Sequence, residues 1–139
     1  MYKIERTDYG FKVTSSGSFS TEEVEHLQRE LINTLAQHDR PFSLVLDARK
    51  LALPGPEVVK VFTEIHTAIW QMSCERVVFV LESPVAKRQV MQMHFIASPN
   101  GQDRVIDATK CPDWEARAIA WAAEAVEPDF AGVKEQQTR

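Results

Sequence analysis

The chain opens with alternating apolar and polar positions. Tyr2-Lys-Ile-Glu-Arg and Phe11-Lys-Val-Thr, separated by Asp8-Tyr9-Gly10, spell a β-hairpin with one buried face. Gly17-Ser18 ends the second strand, and the apolar period then changes from two to that of a helix. Val24, Leu27, Leu31 and Leu35 recur at helical spacing. The helix start is marked twice, by Ser20 with Glu23 as a capping box and by Phe19 with Val24 as a hydrophobic staple. Glu22, Glu23 and Glu25 suit the positive end of the helix dipole and read as a solvated face.

Pro41 prevents this helix from continuing. Phe42 to Ala48 is then almost wholly apolar, as a strand covered on both faces should be, and it is the expected central strand. Pro54-Gly55-Pro56 turns the chain, with Pro56 well suited to a first helical position. Val58, Phe62, Ile65 and Ile69 form the buried stripe of the next helix. Arg76 to Leu81 (RVVFVL) is a second buried strand. Ser83-Pro84 starts a third helix, with Ala86, Val90, Met93 and Ala97 on one side, and Ser98-Pro99-Asn100-Gly101 ends it. Arg104 to Ala108 is a short last strand. Trp114, Ala118, Trp121, Ala122 and Ala125 mark a final amphipathic helix.

The order is hairpin, helix, strand, helix, strand, helix, strand, helix. It predicts an α/β fold with a mixed, mostly parallel sheet of about five strands, right-handed crossovers and four helices. Residues 1–127 make one domain on this reading, and residues 128–139, where the apolar pattern is lost, make a flexible tail.

Composition narrows the class. At 139 residues, 44% apolar and 26% charged, the chain matches one ordinary soluble domain. A net charge of −4 argues against a nucleic-acid partner, because phosphate binding needs a basic surface. No apolar run approaches the roughly 20 residues of a membrane span. MYKIERTDYG offers no apolar segment for a signal peptide, so a cytoplasmic location is expected. Cys74 and Cys111 are too few for a disulfide framework or a zinc site, and read as packing residues.

Catalytic and cofactor signatures do not emerge. The chain contains no dinucleotide or phosphate-loop fingerprint and no G-x-S-x-G elbow. His26, His38, His66 and His94 are scattered, and none sits at i, i+4 from another histidine, so neither a metal nor a cofactor is expected. His66 and His94 read as partly buried helix residues. Chemistry concentrates at the end of the central strand. Asp47 reads first as a strand-end carboxylate accepting backbone N–H groups, and second as a partner-facing or acid/base group. Arg49 and Lys50 are candidates for an anion or an acidic partner. Ser83 caps the third helix, with Lys87 and Arg88 just behind it. If the neighbouring strand pairs with the central one, Arg49, Lys50, Ser83, Lys87 and Arg88 would form one basic rim before helix N-termini. Trp70, Met72, Met91, Met93 and Phe95 read mostly as core, and two or three of them exposed together would mark a dimer face or a lipophilic pocket.

With these motifs in order, the chain resembles the SpoIIAA-like (STAS/SEC14-like) single-domain bacterial proteins. The segments that carry the resemblance are GSFSTEEVEHLQRELINTL, FSLVLDAR, PGPEVVKVFTEI, RVVFVLES, AKRQVMQ, RVIDA and AIAWAAEA, spanning about residues 2 to 126. Anti-sigma factor antagonists of this type carry a phosphorylatable serine in an Asp-Ser-Ser-Gly-like motif before the second helix. Here Asp47 matches the aspartate ending the central strand, while Arg49 to Pro56 (RKLALPGP) contains no hydroxyl residue, so the phosphoserine switch is not carried over. The resemblance implies a non-enzymatic regulatory module that binds a protein partner, with homodimerisation as one form of that contact. Its expected contact residues are Asp47, Arg49, Lys50, Pro54, Gly55 and Glu57, joined by Ser83, Lys87 and Arg88. Reversing the charge of Arg49 and Lys50 is expected to weaken that partner without lowering the melting temperature. The alternative is a carrier of a small lipophilic or anionic ligand.

Overall fold

The computed structural model describes residues 1–97 and 101–128, with residues 91–97 described as helical backbone alone. The side chains of Met91, Met93, His94, Phe95 and Ala97, the turn residues Ser98 to Asn100, and residues 129–139 of the expected 128–139 tail lie outside what is described.

The strands are β1 (Tyr2–Thr7), β2 (Gly10–Gly17), β3 (Phe42–Leu51), β4 (Cys74–Leu81) and β5 (Asp103–Asp107). The helices are α1 (Thr21–Ala36), α2 (Pro56–Trp70), α3 (Pro84–Ala97) and α4 (Trp114–Glu124). The sheet runs in the order β1-β2-β3-β4-β5, with β1 and β2 antiparallel and every later pairing parallel. This is the mixed α/β architecture expected from the sequence, with β3 in the middle. β3 extends beyond Ala48 because its pairing with β2 continues through Lys50 and Leu51 after its apolar character ends.

The position of the helices follows from the strand order. From β2 to β5 each crossover steps in the same direction. Right-handed connections in such a series bring α1, α2 and α3 to one face of the sheet. That face holds the larger core, where Leu27, Leu31, Ile65 and Ile69 meet Phe11, Leu44, Val77 and Phe79. α4 covers the opposite face, with Ala118, Trp121 and Ala122 against Val45, Val78, Val80 and Ile106. Alternation along β3 sends Leu44 to the first core and Val45 to the second. Two contacts tie α4 to β4. Trp121 Nε1 donates to the Val77 carbonyl at 3.2 Å, and the Arg76 guanidinium donates to the Ala122 carbonyl at 3.0 Å.

Local signals explain the ends. Ser20 is the N-cap of α1, its Oγ accepting from Glu23 N–H at 3.1 Å. Gly10 adopts φ 144°, and a Cβ placed there would lie 2.3 Å from the Ser43 carbonyl oxygen. The hairpin therefore presses against β3 at a point that only glycine fits.

Candidate ligand-binding cavity

Between the sheet and the three helices that cover it, the side chains leave a cavity of about 130 Å³. Leu46 and Ala48 of β3 and Phe79 of β4 form its floor. Phe62, Ile65 and Ile69 of α2 and Leu27 and Leu31 of α1 form its walls. Its outer end lies beneath Leu51, Leu53 and Pro54, beside Ser83, Ala86 and Gln89 at the start of α3. Leu53 lines the cavity while remaining 57% exposed, which places the opening at this loop. That end is at the carboxyl termini of β3 and β4, where open parallel sheets commonly meet their ligands. No Lys or Arg side chain lines the cavity among the described residues.

One polar pair stands out against this apolar lining. His66, on the buried side of α2, is 3% exposed and reaches the cavity wall. Its Nε2 lies 2.8 Å from Oδ2 of Asp103, the first residue of β5, itself 4% exposed. Trp70 Nε1 is 3.3 Å from the same His66 nitrogen. Nε2 cannot both donate to the carboxylate and accept from the indole. The shorter, charge-assisted contact assigns the proton to Nε2, directed at Asp103. Nδ1 is buried and has no hydrogen-bond partner among the described residues. The sequence reading placed His66 as a partly buried helix residue. It is fully buried and paired, a role that escaped because Asp103 is 37 positions away. The available signal was positional: His66 follows Phe62 and Ile65 and precedes Ile69 on the apolar stripe, and a polar group there requires a partner.

The residues nominated from the sequence fall into five places. Asp47, Pro54 and Ser83 line the cavity. Ser83 also caps α3, its Oγ accepting from Ala86 N–H at 3.3 Å. Arg49 turns to the α4 face. Its Nε and Nη2 donate to the two carboxylate oxygens of Asp47 at 2.9 and 3.0 Å, and the guanidinium lies 4.1 Å from the Trp114 ring centroid. The Asp47 hydrogen bonds hold Arg49 in its charged form even more firmly than an ordinary guanidinium. Asp47 also accepts the Arg49 backbone N–H at 3.2 Å, which is its strand-end role. Lys50 points elsewhere, to Glu82 at 3.1 Å across the parallel β3–β4 pair. Lys87 and Arg88 stand on α3, across the sheet from α4 and so from Trp114. Gly55 is the N-cap of α2, and Glu57 in its first turn accepts from Thr21 Oγ1 at 3.4 Å. Arg49 is thus held between Asp47 and Trp114, so reversing its charge is expected to lower the melting temperature as well as alter the surface.

Nucleophiles are not poised here. Burial, aided by the nearby Asp103 charge, pushes the Cys74 thiol up to about 12. Burial and the Asp113 side chain also raise that of Cys111. Among the described residues no group of three His, Cys, Asp or Glu side chains is arranged to hold a metal ion. No helix among them is long and apolar enough to cross a membrane.

The architecture is similar to the crystal structure of an uncharacterised protein of the DUF3478 family from Shewanella loihica, which has a SpoIIAA-like fold. The likeness has a TM-score of 0.58 at 16% identity, and covers 82% of this chain and 91% of that one. The chain thus has a SpoIIAA-like fold. No family model and no curated protein matches the chain.

Proposed function

We propose that this SpoIIAA-like domain is a non-enzymatic binding protein of the cytoplasm whose cavity takes one small lipophilic molecule. The observation that carries this reading is the apolar cavity itself, open beneath Leu53 and Pro54 at the carboxyl ends of the central strands. An apolar cavity of about 150 Å³ stays dry and admits a benzene-sized guest, so the space here suits a small ring or a short chain. An anionic guest is disfavoured, since no cation lines the walls among the described residues. Native mass spectrometry of freshly purified protein tests the reading. A retained small molecule is the expected result, and a bare chain that also takes up no added apolar compound contradicts it.

A second reading, the regulatory module that binds a protein partner, is favoured by a different observation. Leu53 and Val85, 57% and 46% exposed, stand on the segments that follow β3 and β4. With Lys50, Gly55, Glu57, Lys87 and Arg88 they offer a mixed apolar and charged surface at one edge of the sheet. Having no hydroxyl between Arg49 and Pro56, this surface would act without the phosphoserine switch. A Leu53→Asp, Val85→Asp variant that keeps its melting temperature but loses a co-purifying protein supports this reading, and unchanged recovery of that protein removes it.

A further inference from the structure

We propose that β1 is a homodimer edge, at which two copies of the chain pair antiparallel along Tyr2–Thr7 about a two-fold axis at Ile4. The contact is separate from the cavity, whose lining takes no residue from β1. β1 is the outermost strand and pairs with β2 alone among the described residues. The other side of its backbone therefore presents hydrogen-bonding groups that no strand meets.

The hairpin fixes which groups point outward. Ser16 N–H donates to the Met1 carbonyl, and the Met1 nitrogen donates to the Ser16 carbonyl, both at 2.8 Å. In an antiparallel ladder such bonded pairs alternate with pairs whose N–H and C=O turn away. The register runs without a shift from Tyr2–Ser15 to Thr7–Gly10. Lys3, Glu5 and Thr7 therefore bond to β2, while Tyr2, Ile4 and Arg6 turn their backbone groups to the open side. The β3 side agrees in phase: the Tyr9 carbonyl accepts from Ser43 N–H at 2.9 Å, which leaves the even-numbered residues of β2 for β1.

Two copies joined with Ile4 on the axis set Ile4 against Ile4, and Tyr2 against Arg6 in both directions. Each of these pairs can exchange two backbone hydrogen bonds, because all of their groups point outward. Lys3 then lies opposite Glu5 of the second copy, and Glu5 opposite its Lys3, in the closer non-hydrogen-bonded positions. Both side chains are accessible, at 71% and 41% exposed. Charge selects this register. An axis at Lys3 would put two lysines face to face, and an axis at Glu5 two glutamates, each destabilising. An axis between two residues would set outward groups against inward ones. Charge on an edge strand commonly keeps other chains away. Here the alternation of sign favours one arrangement, and it is the self-complementary one that a closed two-fold dimer requires.

Sedimentation velocity over a concentration series tests the contact. The parent should reach twice the chain mass. Lys3→Glu and Glu5→Lys each place two like-charge pairs beside the axis, and each should weaken self-association by at least about tenfold. Both residues are exposed, so circular dichroism should show both variants folded. An equimolar mixture of the two variants restores opposite charges and should give a heterodimer. The Lys3→Glu, Glu5→Lys double variant should likewise recover the homodimer. Amide hydrogen exchange separates this edge from any other dimer face: the Ile4 N–H should exchange slowly in the parent dimer and fast in either single variant. A parent that stays monomeric at every concentration overturns the proposal. A dimer indifferent to the single reversals, or one whose Ile4 amide exchanges fast, overturns it too, since its contact lies elsewhere. Failure of the mixture and of the double variant to recover association also overturns it.

Discussion

Asp47 and Arg49 form a two-pronged ion pair within one strand, with donor–acceptor distances of 2.9 and 3.0 Å. Asp47 is 4% exposed, while the Arg49 side chain retains 28% of its exposure and lies along the ring of Trp114. A strand-end charge that would serve a partner if free is here used to fasten β3 to α4.

The consequence is a sharp contrast between neighbours. Arg49→Ala leaves a buried carboxylate without two of its donors and should cost about 2–3 kcal/mol. Lys50→Ala, which removes a pair whose lysine is 69% exposed, should change stability by less than about 0.5 kcal/mol. Urea denaturation of the two variants checks this, and equal costs would show that the Asp47–Arg49 pair does not hold the strand end.

Removing one member of the His66–Asp103 pair should be more damaging than removing both. His66→Leu takes the imidazole donor from the buried Asp103 carboxylate, at a cost of about 3–5 kcal/mol. The added change Asp103→Leu should recover part of that loss, because the two sites share one interaction. A double-mutant cycle measures the coupling, and strictly additive effects would count against it.

Gly10→Ala should destabilise by more than about 2 kcal/mol, since the new methyl group meets the Ser43 carbonyl and the backbone is held at positive φ. Gly55→Ala provides the control, for nothing lies within 4 Å of a Cβ there. Its thermal midpoint should stay close to that of the parent.

Cys74 gives a pH dependence of definite sign. Its folded-state thiol titrates near 12 against an ordinary value of 9.0, so the folded state holds this proton more tightly. The associated stability is fully present below about pH 9 and is lost as the pH rises from there towards 12. Between pH 8 and 10.5 a Cys74→Ala variant should therefore lose less stability than the parent. Native protein at pH 8 should also resist alkylation at Cys74 until denaturant is added.

Much of this fold was legible in the chain because its signals are local. The switch from alternating to helical spacing after Gly17, the Ser20 cap and the proline before α2 each act within a few residues. The site was less legible because its determinants are distant in sequence. The cavity is walled by the same leucines, isoleucines and phenylalanines that make the core, and no pattern of spacing separates a filled interior from a hollow one. Asp47 was recognisable as a strand-end carboxylate, whereas the stacking of Arg49 on Trp114 depends on the return of α4 across the opposite face. The His66–Asp103 pair likewise exists only once α2 and β5 are brought together.

The central claim is that the cavity accepts a lipophilic guest, and one titration tests it most directly. The neutral single-ring probe propylbenzene is added, in a calorimetric titration, to the parent protein and to an Ala86→Trp variant, in which a large side chain fills the space beside α3. Saturable one-to-one binding by the parent and at least a tenfold loss in the variant are expected, with both proteins folded by circular dichroism. Absence of saturable binding to the parent, or equal binding by the two proteins, would contradict it.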